Sequence, residues 1–233
     1  MKAIVALAVA IVAYSFQIAH AQISDLVKFL QSSPNPHIKP YAYVLRESVW
    51  FDRKIYVCWE SPKPEFSNDM KLVQQVISES WEANSGLFFS GWQQCAQDNS
   101  GIRILIDDSG PRTLGLGRKL DKVKNGMLLN FSFRNWNPGC QTMRENCIRA
   151  IAIHEFGHAI GLAHEQNRPD TPGECHMRKQ GPNGDDISLT PYDSRSMMNY
   201  CNDIYNKDTK LSALDITAVQ VLYGTPKDKT ESP

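Results

Sequence analysis

Hydrophobic and polar positions follow two different periods along this chain, and the periods sort it into elements. Lys54-Ile-Tyr-Val-Cys-Trp59 alternates as a strand does, and Pro62 and Pro64 close it. Met70, Val73, Ile77 and Trp81 fall at helical spacing, with Asn84-Ser85-Gly86 as the stop. Residues 102–107 and 127–133 read as two further strands. Between them, Gly110 to Gly117 reads as an edge strand and turns. Its Gly115-Leu116-Gly117 has Leu at position 120, so no complete phosphate-cradling fingerprint exists. Residues 145–161 form a long helical candidate with an apolar body of Ile148, Ile151, Ala152 and Ile153. Residues 167–194 are rich in Pro, Gly, Asn and Asp and predict irregular loops. Ser212-Ala-Leu-Asp215 has the form of a capping box, opening an apolar helix through Ile216, Val219 and Leu222 that Gly224 ends. Strands and helices followed by a loop-rich part and a closing helix make an α+β pattern, with no internal repeat.

The N-terminal residues break this order. Lys2 precedes an uncharged apolar run, Ala3 to Tyr14, too short to span a bilayer comfortably, and Ala19-His20-Ala21 follows as a small-x-small cleavage pattern. Residues 1–21 are therefore expected to be a signal peptide. In residues 22–50, Leu26, Phe29 and Leu30 suggest a short helix that the Ser-Ser-Pro-Asn-Pro stretch at 32–36 breaks. This segment is a short N-terminal arm or a pro-segment. Residues 51–226 form the main domain, and 227–233 a polar tail. No other stretch reaches transmembrane length, so a soluble, secreted protein is expected, periplasmic if bacterial.

Composition narrows the classes. Of 233 residues, 42% are hydrophobic and 21% charged, which excludes wholesale disorder. Lys+Arg and Asp+Glu are both 25, and the absence of a basic surplus argues against a nucleic-acid partner. The six cysteines, Cys58, Cys95, Cys140, Cys147, Cys175 and Cys201, are even in number in an exported chain, so three disulfides are expected. No Cys-x-x-Cys pair supports a thiolate zinc site or a redox motif. Order along the chain suggests Cys58–Cys95, Cys140–Cys147 and Cys175–Cys201, one of the fifteen pairings that six cysteines allow.

The segment that carries chemistry is His154-Glu155-Phe156-Gly157-His158-Ala159-Ile160-Gly161-Leu162-Ala163-His164. On a helix, His154 and His158 lie one turn apart on one face and can reach one ion. Gly161 accepts positive φ, so the chain can leave the helix sharply there and bring His164 round as a third ligand. Three histidines leave a position open for water, as in a catalytic rather than a structural zinc site. Zinc lowers the pKa of such a water from 15.7 to roughly 7, and Glu155 can take its proton and pass it to a leaving amine. The implied chemistry is metal-assisted hydrolysis of an amide with one Zn2+.

This segment resembles the metzincin zinc signature His-Glu-x-x-His-x-x-Gly-x-x-His. Its continuation, Glu165-Gln166-Asn167-Arg168-Pro169-Asp170, is similar to the astacin branch, where Glu follows the third histidine. Ser196-Met197-Met198-Asn199-Tyr200 matches the astacin-type Met-turn Ser-x-Met-x-Tyr. The resemblance implies that Met198 forms an apolar floor below the ligands. It also implies that Tyr200 is a displaceable fifth ligand whose phenol stabilises the oxyanion. It gives Glu165 a salt link to a mature N-terminus, although Glu165 also suits a loop cap. Residues 113–118 would be the edge strand that pairs with an extended substrate. The ending Leu211-Ser-Ala-Leu-Asp…Leu222-Tyr-Gly is closer to matrixins, and residues 22–140 match no family specifically. The cysteine-containing latency switch of matrixins is absent from residues 22–57.

The expectation is a metzincin-type zincin: a twisted, mostly parallel sheet with two helices as the upper lobe, and a loop-rich lower lobe ending in a helix. It would act as a monomeric, secreted zinc endopeptidase on protein or peptide substrates, with residues 51–226 as its catalytic domain. Competing readings are a non-catalytic zinc-stabilised binding module, or the same fold serving a toxin, an adhesin or a hydrolase of non-peptide amides. His37 and His176 read as surface histidines, and Asn130-Phe-Ser132 fits a glycosylation acceptor.

Overall fold

The computed structural model describes residues 46–176, 189–201 and 209–226. Residues 1–21, expected to be a signal peptide, residues 22–45 with His37, and residues 227–233 lie outside the described residues, as does the side chain of His176.

Five strands form one sheet: β1 (Lys54–Glu60), β2 (Phe88–Gln94), β3 (Ile102–Ile106), β4 (Arg112–Thr113) and β5 (Met127–Leu129), in the order β2-β1-β3-β5-β4. All neighbours run parallel except β4, which lies antiparallel to β5 at one edge. The alternation read in the sequence has a direct spatial meaning. Ile55, Val57, Trp59, Ile102, Ile104, Met127 and Leu129 share the buried core with the helices. Glu60 and Arg103, on neighbouring strands, form a buried ion pair at 2.8 Å, and Arg103 also donates to the carbonyls of Ala96 and Gln97.

Helix α1 (Ser67–Ile77) buries Val73, Val76 and Ile77 and continues into a π-helical turn, Ser78–Glu82. Trp81 in that turn donates its indole N–H to Ile153 O at 2.9 Å, locking it to α2 (Arg144–Ala159). Helix α2 is buried on nearly every face from Cys147 onward, which is why its apolar residues show no amphipathic stripe. A four-residue helix, α3 (Gly173–His176), follows in the loop-rich part, and α4 (Ala213–Tyr223) closes the described chain. The capping box is present: Ser212 Oγ accepts from Asp215 N at 2.9 Å, and Asp215 accepts from Ser212 N at 3.0 Å.

Two elements differ from the sequence expectation. The strand expected over 127–133 stops at Leu129, because Asn130 Oδ1 accepts the N–H groups of Ser132 and Phe133 and turns the chain. Strand β2 carries no alternation to announce it. It is an edge strand in which Phe89 alone is fully buried, and a bulge at Gly91 and Trp92, both at positive φ, shifts its register against β1. That bulge lays Trp92 on Phe156 of α2, with ring centroids 5.7 Å apart.

The disulfides are Cys58–Cys95, Cys140–Cys147 and Cys175–Cys201. The first ties the end of β2 to β1, the second fastens the start of α2, and the third joins α3 to the segment after Tyr200.

Candidate metal centre

Helix α2 carries His154 and His158 on one face, as a spacing of four requires. The helix then ends in a Schellman turn: Leu162 N donates to Gly157 O and Gly161 N to His158 O, both at 2.9 Å, with Gly161 at φ 103°. That turn delivers His164 opposite the helix. His164 Nε2 lies 3.1 Å from His154 Nε2 and 2.9 Å from His158 Nε2.

The other ring nitrogens fix the orientation. His154 Nδ1 lies 2.7 Å from Met197 O, and His158 Nδ1 lies 2.8 Å from Leu162 O. A carbonyl only accepts, so both Nδ1 atoms carry the proton and both Nε2 atoms present lone pairs to the centre. A single N–H on His164 Nε2 can satisfy only one of those lone pairs. A dication satisfies all three, and tetrahedral Zn–N bonds of about 2.0–2.1 Å require the nitrogens to stand only slightly further apart. The donor set therefore fits a transition-metal ion of the kind imidazoles bind, zinc among them. Burial keeps the rings neutral. It pushes His154 down to about 3, with His164 adding to the effect, and drives His158 well below its ordinary value.

Glu155 is buried, and its Oε2 has no hydrogen-bond partner. Burial pushes this carboxyl up to about 8, and the charge of Arg112 on β4 opposes the shift. A dication beside it would favour the carboxylate further. Tyr200 stacks on His154, with ring centroids 5.2 Å apart, and lies tilted against His164 at 4.4 Å. Met198 lies under the helix, where a Cβ placed on Gly157 would sit 2.3 Å from its sulfur. Met197 contributes its backbone carbonyl, which orients His154.

The loop after His164 is braced by buried polar contacts. Arg168 is fully buried, donates twice to Asp170 at 2.9 Å and once to Thr190 O, and pairs with Glu165 at 3.4 Å. Glu165 also accepts from Asp193 N at 2.8 Å. Gln166 Oε1 accepts the N–H of Tyr200 at 3.0 Å. Arg112 and Asp215 gave no sequence signal for this site, because each reaches it from a separate element, β4 and α4.

A mostly parallel sheet, a buried helix bearing two of three converging imidazoles and a turn whose Met198 packs against that helix at Gly157 together define an astacin-like metzincin. The chain belongs to metallo-peptidase family M12, whose family model (Reprolysin_5) matches residues 16–212. It is similar to zinc metalloproteinase nas-30 of Caenorhabditis elegans, 35% identical over 205 residues, covering 80% of this chain and 24% of that protein. The dorsal-ventral patterning protein tolloid of Drosophila melanogaster is 34% identical over 119 residues, covering 44% of this chain and 11% of tolloid. The chain thus spans about a quarter or less of these curated relatives. A solved structure of myroilysin shares the fold, with a TM-score of 0.54 and 19% identity over 78% of this chain and 98% of that one.

Proposed function

We propose that this chain is a secreted zinc endopeptidase. The observations that carry the reading are the convergence of three imidazole nitrogens and, on the same helix one residue after His154, a buried carboxylate oxygen without a partner. His154, His158 and His164 hold the ion. When bound, zinc supplies Lewis acidity, polarising the scissile carbonyl and acidifying water. Glu155 acts as general base on the attacking water and then as general acid, returning that proton to the leaving amine. Tyr200 donates its phenolic hydrogen to the oxyanion. Met198 and Gly161 hold the ligands in place without touching substrate. Family membership supports protein or peptide substrates. The apolar leader and three disulfides support export, and among the described residues no helix is long and apolar enough to cross a membrane.

The competing reading, a zinc-stabilised binding module, needs the histidines but not Glu155. Glu155→Gln separates the two. The variant is expected to retain one zinc per chain and to lose peptide turnover by at least a hundredfold. Undiminished cleavage by the zinc-loaded variant would refute the assigned role of Glu155.

A further inference from the structure

We propose that Trp50 and Tyr223 are positioning residues for the metal centre, acting through the joint between α2 and the loop that delivers His164. The inference follows from where the last four carbonyls of that helical segment go. The Schellman turn satisfies two of them, Gly157 O and His158 O, internally. Ala159 O and Ile160 O are left without an intrahelical donor. Trp50 Nε1 donates to Ala159 O at 2.7 Å, and Tyr223 Oη donates to Ile160 O at 2.7 Å.

The two donors come from opposite ends of the described chain. They are also joined to each other, since Trp50 N donates to the Tyr223 hydroxyl at 3.3 Å. The segment beside Trp50 is seated against the same turn. A Cβ on Gly161 would lie 3.1 Å from Ser48 Oγ, and Ser48 is fully buried.

This joint controls two of the three ligands. Leu162 O, one residue past Gly161, orients His158, and His164 follows two residues later. A shift of the turn therefore displaces the acceptor of one ring and the backbone of another. The bonds that Trp50 and Tyr223 make to this segment go to its backbone carbonyls, so their effect on the ligands passes through the backbone of residues 159–164.

The inference rests on the zinc reading of the site but not on peptide cleavage. The test is zinc titration of the full chain against a competing chelator, for the native protein, Tyr223→Phe and Trp50→Phe. Each variant removes one donor and leaves most of the ring. Zinc affinity is expected to fall about tenfold in each, as for partners that orient a ligating histidine. The visible spectrum of the cobalt-loaded variants should change with it. A purely structural role would lower the melting temperature of the metal-free protein and leave zinc affinity within twofold of native, which would overturn the proposal. If Tyr223→Phe does not fold, Trp50→Phe decides; failure of both to fold overturns it too. A native chain that binds zinc yet cleaves no peptide would refute the peptidase reading and leave this inference standing. A native chain that binds no zinc would refute both.

Discussion

Asp215, in the first turn of α4, accepts the hydroxyl of Ser196 at 2.7 Å and so holds the start of the turn that carries Met198 and Tyr200. Its other oxygen takes the N–H of Met197 at 3.0 Å, and the carbonyl of Met197 in turn orients His154. One buried carboxylate thus links the cap of the last helix to a candidate metal ligand. Asp215→Ala removes a capping-box partner and leaves a buried hydroxyl and amide unsatisfied. The expected loss is about 2–4 kcal/mol of folding stability, measured by urea denaturation. Asp215→Asn, which keeps an acceptor, should lose less.

Gly157 faces the sulfur of Met198 and the indole of Trp81, with a built Cβ at 2.3 Å and 3.2 Å respectively. Helix propensity favours alanine here by roughly 0.5–1 kcal/mol. The clash outweighs this, because Met198 and Trp81 are both buried and have little room to yield. Gly157→Ala is expected to destabilise the protein by about 1–3 kcal/mol, read as a lowered melting temperature. Pairing it with Met198→Ala should recover part of that loss, whereas simple additivity would contradict the packing described.

Tyr200 lies against two of the three imidazoles, and the proposed mechanism gives it a role in turnover. Tyr200→Phe keeps the ring and removes the phenol. Its kcat is expected to drop about a hundredfold, as when one oxyanion donor is lost, with KM little changed. Steady-state kinetics on a fluorogenic peptide checks this, and an unchanged kcat would remove Tyr200 from the mechanism.

Acid should unfold the metal-free protein through its histidines. Folding depresses His154 to about 3, and His158 well below its usual 6.5, because burial penalises the imidazolium. Between pH 6.5 and about 3 the unfolded chain holds protons on these two rings that the native one lacks. Glu155 and Glu165, pushed up to about 8 by burial, hold native-state protons above about 4.5 and offset this, so stability falls with pH chiefly below about 4.5. The slope is up to about 1.4 kcal/mol per pH unit for each ring. Denaturant midpoints measured on the apo protein between pH 5 and pH 3 test this. His154→Gln should flatten the slope.

Much of the candidate centre was legible because it depends on local geometry. A spacing of four on a helix sets His154 and His158 side by side, and Gly161 alone permits the turn toward His164. The Ser212–Asp215 capping box is equally local. The strand ending at Leu129 was overestimated, since Asn130 turns the chain by capping N–H groups within an otherwise apolar run. Strand β2 went unannounced, because a bulged edge strand with one buried side chain has no period to detect.

What the sequence by itself determined is the set of groups whose positions follow from residues within a few turns of one another: the imidazole pair, the carboxylate beside it, the helix stops and the alternating strands. Only the tertiary structure decided which distant groups meet them. The carbonyl of Met197 behind His154, the guanidinium of Arg112 facing Glu155, and Trp50 and Tyr223 at the end of α2 all come from separate elements. Their meeting depends on how the sheet, helices and loops pack around a shared core, and no spacing along the chain encodes that.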